Sequence, residues 1–218
     1  MTLPRALQGS DDSAALQLLD RYYGGPGNDT PAVGASFDAW DSTGTREQDL
    51  DRFTADDLVA VTFLSVRVGP ATARRLLVDD ADRFSQLLRD LGPDRDLVEI
   101  EKPLADDWPG WPLMSALREL PGVGPTLASK LVARKRPKLR PIWDSVVVQV
   151  TNTRVAQWEP VRQALRAHDN TLHHRLLTLR DRACLGSAVS ALRVLDVVTW
   201  REGKDRQLEP LVTEPLPT

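Results

Sequence analysis

Hydrophobic residues recur at helical spacing along most of this chain. The segment 11–23 carries one such apolar set. A second helix is predicted after Thr54, with Asp56 and Asp57 in its first turn, because the positive end of the helix dipole favours acidic residues there. Between these helices, residues 24–46 are rich in Gly, Pro, Asp, Ser and Thr and are predicted to form a long loop. The pattern predicts a mostly helical protein.

The second half of the chain continues the series of predicted helices. A helix over 81–91 is expected to end near Gly92 and Pro93. The apolar run SVVVQV after Asp144 contains β-branched residues that favour strands, but we predict a buried helix because its surroundings are helical and no partner strand is evident. Further helices are predicted at 158–168, 171–181 and 186–201, followed by a flexible tail at 207–218.

The most informative stretch joins two helical patterns through the turn LPGVG at 120–124. PLMSALREL precedes the turn and PTLASKLVARK follows it, so residues 112–135 are predicted to form a helix, a tight turn and a second helix. Gly122 and Gly124 permit positive φ and remove side chains that would block a close approach, and Pro125 suits a first helical turn. The bare N–H groups at the start of the second helix therefore predict an anion site, for which phosphate is the commonest ligand.

A similar stretch occurs earlier in the chain. VGPATARRLL at 68–77 matches VGPTLASKLV at 123–132 at its Val, Gly and Pro and at one Ala and one Leu. The match indicates either a second helix start with the same local physics or a decayed internal repeat. Ten residues are too few to decide between the two.

Length and composition are those of an ordinary globular protein. The 218 residues can bury a sizeable core as one large or two small domains, and 41% are hydrophobic and 27% charged. No apolar run reaches membrane-spanning length and no signal peptide is visible, so we expect no membrane partner and a cytoplasmic location. Cys184 is the only cysteine, which excludes a four-cysteine iron–sulfur site within this sequence.

Charge is divided unevenly along the chain. Residues 1–113 carry 21 acids and 11 bases, whereas residues 114–205 carry 16 bases and 8 acids. A basic patch beside a phosphate-sized turn is typical of a nucleic-acid footprint, although the end of a solvated helix would also favour cations. The cations that form this basic patch are Lys130, Arg134, Lys135, Arg136, Lys138 and Arg140.

LPGVGPTLASKL followed by PIWD resembles the helix-hairpin-helix DNA glycosylase superfamily, whose signature is a hairpin of the LPGVG type and then one essential Asp. Asp144 falls where that Asp falls relative to the hairpin. The resemblance implies an all-α, two-lobed helical bundle with a cleft between the lobes. One lobe would comprise residues 55–150, and residues 1–54 and 151–206 would form the other.

The resemblance also implies site residues. Backbone amides of the hairpin and the side chains of the basic patch would bind DNA phosphate, and three backbone carbonyls would hold a structural monovalent cation. The phosphate-binding residues would be Gly122, Val123, Gly124, Thr126, Lys130, Arg134, Lys135, Arg136 and Lys138. The carbonyls would be those of Arg118, Leu120 and Val123.

The implied activity is hydrolysis of the N-glycosidic bond of a flipped, damaged or modified base, with Asp144 as the catalytic carboxylate. Relatives that also cut the backbone carry a lysine where this chain has Thr126, so the activity would be monofunctional. Beyond the cation, the resemblance implies no cofactor and no iron–sulfur cluster. Trp143, Trp40 and Phe37 are candidate residues of a base pocket. We expect duplex DNA as the partner and a monomer.

Two other interpretations remain open at this point. In one, the chain is a non-catalytic DNA-binding protein that keeps the hairpin; in the other, it is a helical protein-interaction module whose acidic half is the working surface. Asp144 directly precedes a predicted helix and Asp is a favoured N-cap, so it has a structural role to play in either case.

Overall fold

The computed structural model describes residues 1–25, 30–153 and 158–208, and within these ranges every regular element is helical. The all-α prediction is confirmed. Three short 3₁₀ turns, at Arg5–Leu7, Val33–Ala35 and Leu97–Glu99, and a π-helical turn at Arg75–Asp79 accompany the α-helices. The α-helices are α1 (Ser13–Tyr23), α2 (Ser36–Ala39), α3 (Ala55–Thr62), α4 (Pro70–Arg74), α5 (Ala81–Leu91), α6 (Gly110–Arg118), α7 (Pro125–Lys135), α8 (Ser145–Thr151), α9 (Trp158–Arg182) and α10 (Ala191–Asp205).

Helix ends follow the local chemistry of the sequence where a capping residue is present. Thr54 and Asp57 form a capping box at the start of α3, because each side chain receives a backbone N–H of the other residue. Asp144 caps α8, since its Oδ1 accepts the amide of Val146 at 3.0 Å. The segment SVVVQV is therefore helical, as predicted, despite its β-branched residues.

Two predicted boundaries differ from the structure. The predicted loop at 24–46 contains the turn Val33–Ala35 and helix α2, because Phe37 anchors this segment in the core. The predicted helix at 186–201 begins later, as α10, where Ser190 accepts the amide of Arg193 at 3.1 Å. By contrast, the predicted break between 158–168 and 171–181 is present, since α9 has a non-helical backbone from Ala167 to Asn170.

Helix α10 is the central element of the fold. Its residues are buried on nearly every face, and it packs against α1, α8 and α9. Helix α7 packs against α3 and α6. Buried residues of both predicted lobes, Leu19 and Leu131 among them, belong to one continuous hydrophobic cluster.

The contact between α8 and α10 is especially close. A Cβ built on Gly203 of α10 would lie 2.3 Å from Cγ1 of Val146 in α8, so only glycine fits at this crossing. Asp144 is the residue that begins α8. Its position is therefore set by the packing of α8 on α10 as well as by its own cap.

Most of the predicted tail, residues 209–218, lies outside the described residues. Leu208, at its beginning, donates its amide to the carbonyl of Gly203 at 3.0 Å. Among the described helices, none combines the length and apolar character that crossing a membrane requires.

Candidate active site

The turn between α6 and α7 leaves its glycines accessible. Gly122 adopts a left-handed backbone with φ of +74°, and Pro125 occupies the first turn of α7. Both Gly122 and Gly124 are exposed, and within the described part of the chain their amides donate no hydrogen bond. The turn thus offers free N–H groups at a helix N-terminus, the local arrangement that favours an anion.

The earlier VGP stretch has the same local geometry. Gly69 and Gly124 both have extended backbones and cap their helices, and Pro70 and Pro125 follow them in the first turns of α4 and α7. Thr72 of α4 donates its Oγ1–H to the carbonyl of Pro121 at 2.6 Å. The earlier stretch therefore starts a helix whose Thr72 side chain contacts the turn after α6.

A cavity of about 460 Å³ opens beside the N-terminal half of α7. Three predicted site residues, Thr126, Lys130 and Asp144, line it. The aromatic part of its wall comes from residues that the sequence did not single out: Tyr22, Phe63 and Trp200.

Asp144 is held in place from two sides. Its Oδ1 is fixed by the cap of α8, and its Oδ2 lies 3.5 Å from Nζ of Lys130. Ser129 of α7 accepts the amide of Trp143 at 2.9 Å, which ties the residue before Asp144 to the middle of α7. The side chain of Asp144 keeps an exposed fraction of 20%. The carboxylate is therefore ordered and accessible from the cavity.

Lys130 is the buried partner of this carboxylate. Its Nζ also donates to the carbonyl of Leu64 at 2.8 Å, which links α7 to the segment after α3. Burial lowers the pKa of Lys130, while Asp144 and Asp196 act in the opposite direction. A cation in this position lines the cavity but is closed off from bulk solvent.

Asp196 of α10 is a second carboxyl group on the same cavity. It forms an ion pair with Arg193, one helical turn earlier. Burial raises the pKa of Asp196 to about 6; Arg193 opposes the rise and the negative charge of Asp144 adds to it. The sequence offered no local motif for this residue, because its neighbours come from three different helices.

Arg193 organises the wall behind Asp196. It donates to both carboxylate oxygens of Asp38, at 3.0 and 3.1 Å, to the hydroxyl of Tyr22 at 2.7 Å and to the carbonyl of Gly34 at 3.1 Å. These bonds use its donors inside the protein. Arg193 is therefore a structural cation that fixes Tyr22 and Asp196 relative to each other.

The basic patch requires a correction. Arg134 donates to Asp57 at 3.1 Å, Lys135 lies 2.5 Å from the other oxygen of Asp57, and Arg136 pairs with Asp51. The prediction that these three side chains bind DNA phosphate is wrong, because they are buried and their charges are already paired with carboxylates of the acidic half.

The prediction that Lys130 and Arg140 bind DNA phosphate is also wrong, because both side chains are buried. Lys130 is directed to the carbonyl of Leu64 and to Asp144, and Arg140 stacks over the ring of Trp158, with its guanidinium carbon 4.2 Å from the ring centroid. Lys138 remains exposed. The uneven charge of the two halves of the chain therefore reflects pairing inside the fold, with Lys138 left as the one accessible member of the basic patch.

The predicted base-pocket aromatics are also corrected. Trp40 donates its Nε1–H to Asp56 at 3.2 Å and packs edge-on against Phe63. Phe37 lies in the core beside Arg193, and Trp143 is buried and tied to Ser129. None of the three lines the cavity, because each is used to pack a loop or a helix start.

The monovalent cation stays a prediction. Of its three candidate carbonyls, that of Leu120 accepts the amide of Val123 at 3.1 Å. Within residues 1–25, 30–153 and 158–208, no group of three or more His, Cys, Asp or Glu side chains is arranged to hold a metal ion.

Comparison with known proteins identifies a family and no characterised relative. No curated protein and no solved structure matches the chain. A family model described as a family of unknown function (DUF6308) matches residues 15–203, so the chain belongs to that family.

Proposed function

We propose that this protein is a monofunctional DNA glycosylase that hydrolyses the N-glycosidic bond of a flipped, damaged or modified base. One observation carries the proposal: Asp144 lines the same cavity as Thr126. Thr126 lies in the first turn of α7, directly after the exposed glycine turn. In this arrangement, a carboxylate and a phosphate-sized amide site lie on the same part of the molecule.

The proposed mechanism begins at the turn. The free amides of Gly122 and Gly124 bind a DNA phosphate, and this contact positions the neighbouring sugar against Asp144. As the glycosidic bond breaks, positive charge develops on the sugar. The carboxylate of Asp144 stabilises that charge strongly, because screening is weak in a partly enclosed cavity. Asp144 also orients the water that attacks the sugar.

The cavity supplies a place for the flipped base. Its volume of about 460 Å³ falls within the range of roughly 300–1,000 Å³ that is usual for small-molecule sites. Tyr22, Phe63 and Trp200 provide aromatic surface on which a base can stack. Rotating a nucleotide out of the duplex costs a few kcal/mol, and the cost is smallest for a damaged base.

Burial of the basic patch changes the expected mode of DNA binding. With Arg134, Lys135 and Arg136 paired internally, phosphate contacts are left to the turn amides and to exposed cations such as Lys138 and Lys204. Each phosphate that a lysine or arginine neutralises contributes about −0.9 to the slope of log affinity against log salt concentration. We therefore expect a shallow slope, of about −2 to −4, in a titration of duplex binding.

The test is incubation with duplex oligonucleotides that each carry one damaged or modified base, followed by mass spectrometry of the released base. The variant Asp144→Asn is a sharp control, because Asn is as good an N-cap as Asp and the start of α8 is preserved. We expect release to be lost in this variant while duplex binding changes little. Full activity of Asp144→Asn would rule out the proposed mechanism.

One observation favours the non-catalytic alternative. Lys130 already provides Asp144 with a cationic partner at 3.5 Å, as expected of a carboxylate that is only structural. In that case duplex binding would persist, but no base in the series would be released by the wild-type protein. Absence of any salt-dependent DNA binding would instead favour the protein-interaction module.

A further inference from the structure

The cavity contains two carboxyl groups with different surroundings. Asp144 stands at the start of α8, capped by a backbone amide and paired with Lys130. Asp196 projects from α10 into the same cavity and is more deeply buried, with an exposed side-chain fraction of 9%. Paired carboxyls in unequal environments are the usual source of an acid and a base in one site.

We propose that Asp196 is a second catalytic carboxyl, the general acid that protonates the leaving base. This inference rests on the proposed function, since it assigns a role within the same glycosidic cleavage. It goes beyond that function by giving the departing base a proton donor, which Asp144 does not supply.

Hydrogen bonding leaves Asp196 able to donate. One of its oxygens, Oδ2, is bound by Arg193. The other oxygen, Oδ1, has no hydrogen-bond partner among the described residues, and it is not a fully enclosed atom. Arg193 is itself fixed by Asp38 and Tyr22, so the free oxygen is held in a defined orientation. Because Asp196 lines the cavity, a proton on Oδ1 would be available to a base that binds there.

The charged groups around Asp196 come from three helices. Arg193 on its own helix and Lys130 of α7 favour the ionised form, whereas Asp144 at the start of α8 disfavours it. Tyr22 of α1 lies behind it, against Arg193. Burial is the largest influence and, together with Asp144, raises the pKa of Asp196 to about 6. A protonated fraction is therefore present near neutral pH, as a general acid requires.

Proton transfer from Asp196 accompanies cleavage of the glycosidic bond. The proton of Asp196 passes to a ring nitrogen of the base while the bond between the base and the sugar carbon breaks, and the bonding electron pair leaves with the base. The sugar cation that remains is stabilised by Asp144. Water then attacks the sugar carbon, and the proton it loses returns the site to its starting state through Asp144 or solvent. The products are the free base and an abasic site.

A comparison of neutral and cationic leaving groups tests this role. Duplexes that contain uracil or hypoxanthine present a neutral base that needs a proton, whereas 7-methylguanine is already cationic and leaves without one. In Asp196→Asn we expect release of the neutral base to fall about 10²- to 10⁴-fold, with little change for 7-methylguanine. Asp144→Asn should lose both activities.

Asp38→Asn is the matched control. Asp38 is buried and binds the same Arg193, but it does not line the large cavity. If Asp196 acts only by holding Arg193, both variants will reduce the two activities by equal factors. Equal loss on neutral and cationic bases in Asp196→Asn would overturn the inference, as would a wild-type protein that releases only 7-methylguanine. Release of no base at all by the wild type would overturn the proposed function and this inference with it.

A second measurement does not depend on activity. Carbon-13 NMR of the aspartate carboxyls, with Asp196→Asn for assignment, should show a titration near pH 6 that disappears in the variant. Because Asp144 is one of the causes of the raised pKa, Asp144→Asn should move this titration to lower pH. A titration of Asp196 that Asp144→Asn leaves unchanged would show that the two carboxyls are not coupled, contrary to the inference.

Discussion

Helix α7 carries cations in its middle, at Lys130, and at its C-terminal end, and we call these two positions the open site and the closed site. At its C-terminal end, Arg134 and Lys135 enclose Asp57, whose side chain is only 2% exposed. In its middle, Lys130 pairs with Asp144, whose side chain is 20% exposed. Both sites pair a lysine with an aspartate. The cavity of about 460 Å³ adjoins only the second pair, among the described residues.

The difference separates a structural ion cluster from a candidate catalytic one. A carboxylate that is only 2% exposed and has two cationic partners is suited to holding elements together, and Asp57 joins the start of α3 to the end of α7. A carboxylate with one looser partner and an adjoining cavity can meet a substrate. The cavity next to the carboxylate, rather than the ion pair itself, is what distinguishes the open site from the closed site.

The largest expected effect on stability is at the closed site. Asp57→Asn leaves Arg134 and Lys135 without their carboxylate, and removing one partner of a buried ion pair typically costs about 3–5 kcal/mol. Urea unfolding followed by circular dichroism measures the loss. The control is Asp205→Asn, which breaks the exposed pair with Arg21 and should change stability by less than about 1 kcal/mol. Equal effects of the two substitutions would contradict the structural role of Asp57.

The cavity beside the open site should affect the pH dependence of stability through Asp196. Asp196 has a pKa raised to about 6 by burial, so the folded state binds its proton more tightly than the unfolded chain does. Its contribution is therefore fully present below pH 4 and is lost as the pH rises to about 6, by up to about 3 kcal/mol. Unfolding free energies measured at pH 4 and pH 7 should differ less in Asp196→Asn than in the wild type.

Asp94 gives a matched comparison for this effect. Burial also raises its pKa to about 6, but it lies away from the cavity and accepts the amide of Lys138 at 3.0 Å. Asp94→Asn should remove its own share of the pH dependence and leave base release intact. Identical pH dependence of stability in the wild type and in Asp196→Asn would show that the Asp196 carboxyl is not perturbed by the cavity.

The two sites also show which features could be predicted from the sequence. The helices, the turn and the placement of Asp144 at a helix start depend on neighbours along the chain, and they could be predicted. The carboxylate partners of Arg134, Lys135 and Arg136 lie 77 to 85 residues away along the chain, so the sequence alone does not distinguish a buried basic run from an exposed one.

Asp196 was missed for the same reason as the partners of the basic run. Its sequence surroundings are those of an ordinary helix, and only the fold, which packs α10 against α8 and opens one cavity beside them, brings it near Lys130 and Asp144. The aromatic wall is a similar case, because Tyr22, Phe63 and Trp200 come from three distant segments. Residues whose role depends on long-range contacts leave no local signal.

A smaller effect is expected where α8 meets α10. Gly203→Ala places a methyl group 2.3 Å from Val146, and overpacking of this kind typically costs about 1–3 kcal/mol. The substitution should also reduce base release, because relief of the clash moves the start of α8 and with it Asp144. Gly69→Ala is the control, since its Cβ meets nothing within 4 Å and its φ is −69°. Unchanged stability in Gly203→Ala would show that the helices are less closely packed than described.

The smallest expected change in stability is at the turn before α7. Gly122→Ala forces a side chain into a left-handed backbone with φ of +74°, at a cost of about 1 kcal/mol, although the new methyl group meets no atom within 4 Å. Duplex affinity should fall about tenfold, equivalent to about 1.4 kcal/mol, because the methyl group projects where a phosphate would approach. Gly186→Ala, at a glycine that is also open and lacks a positive φ, should change neither quantity. Fluorescence anisotropy with a labelled duplex measures the affinity. If Gly122→Ala loses stability but binds the duplex as the wild type does, the turn does not contact phosphate. The open site must then bind its substrate through the cavity alone.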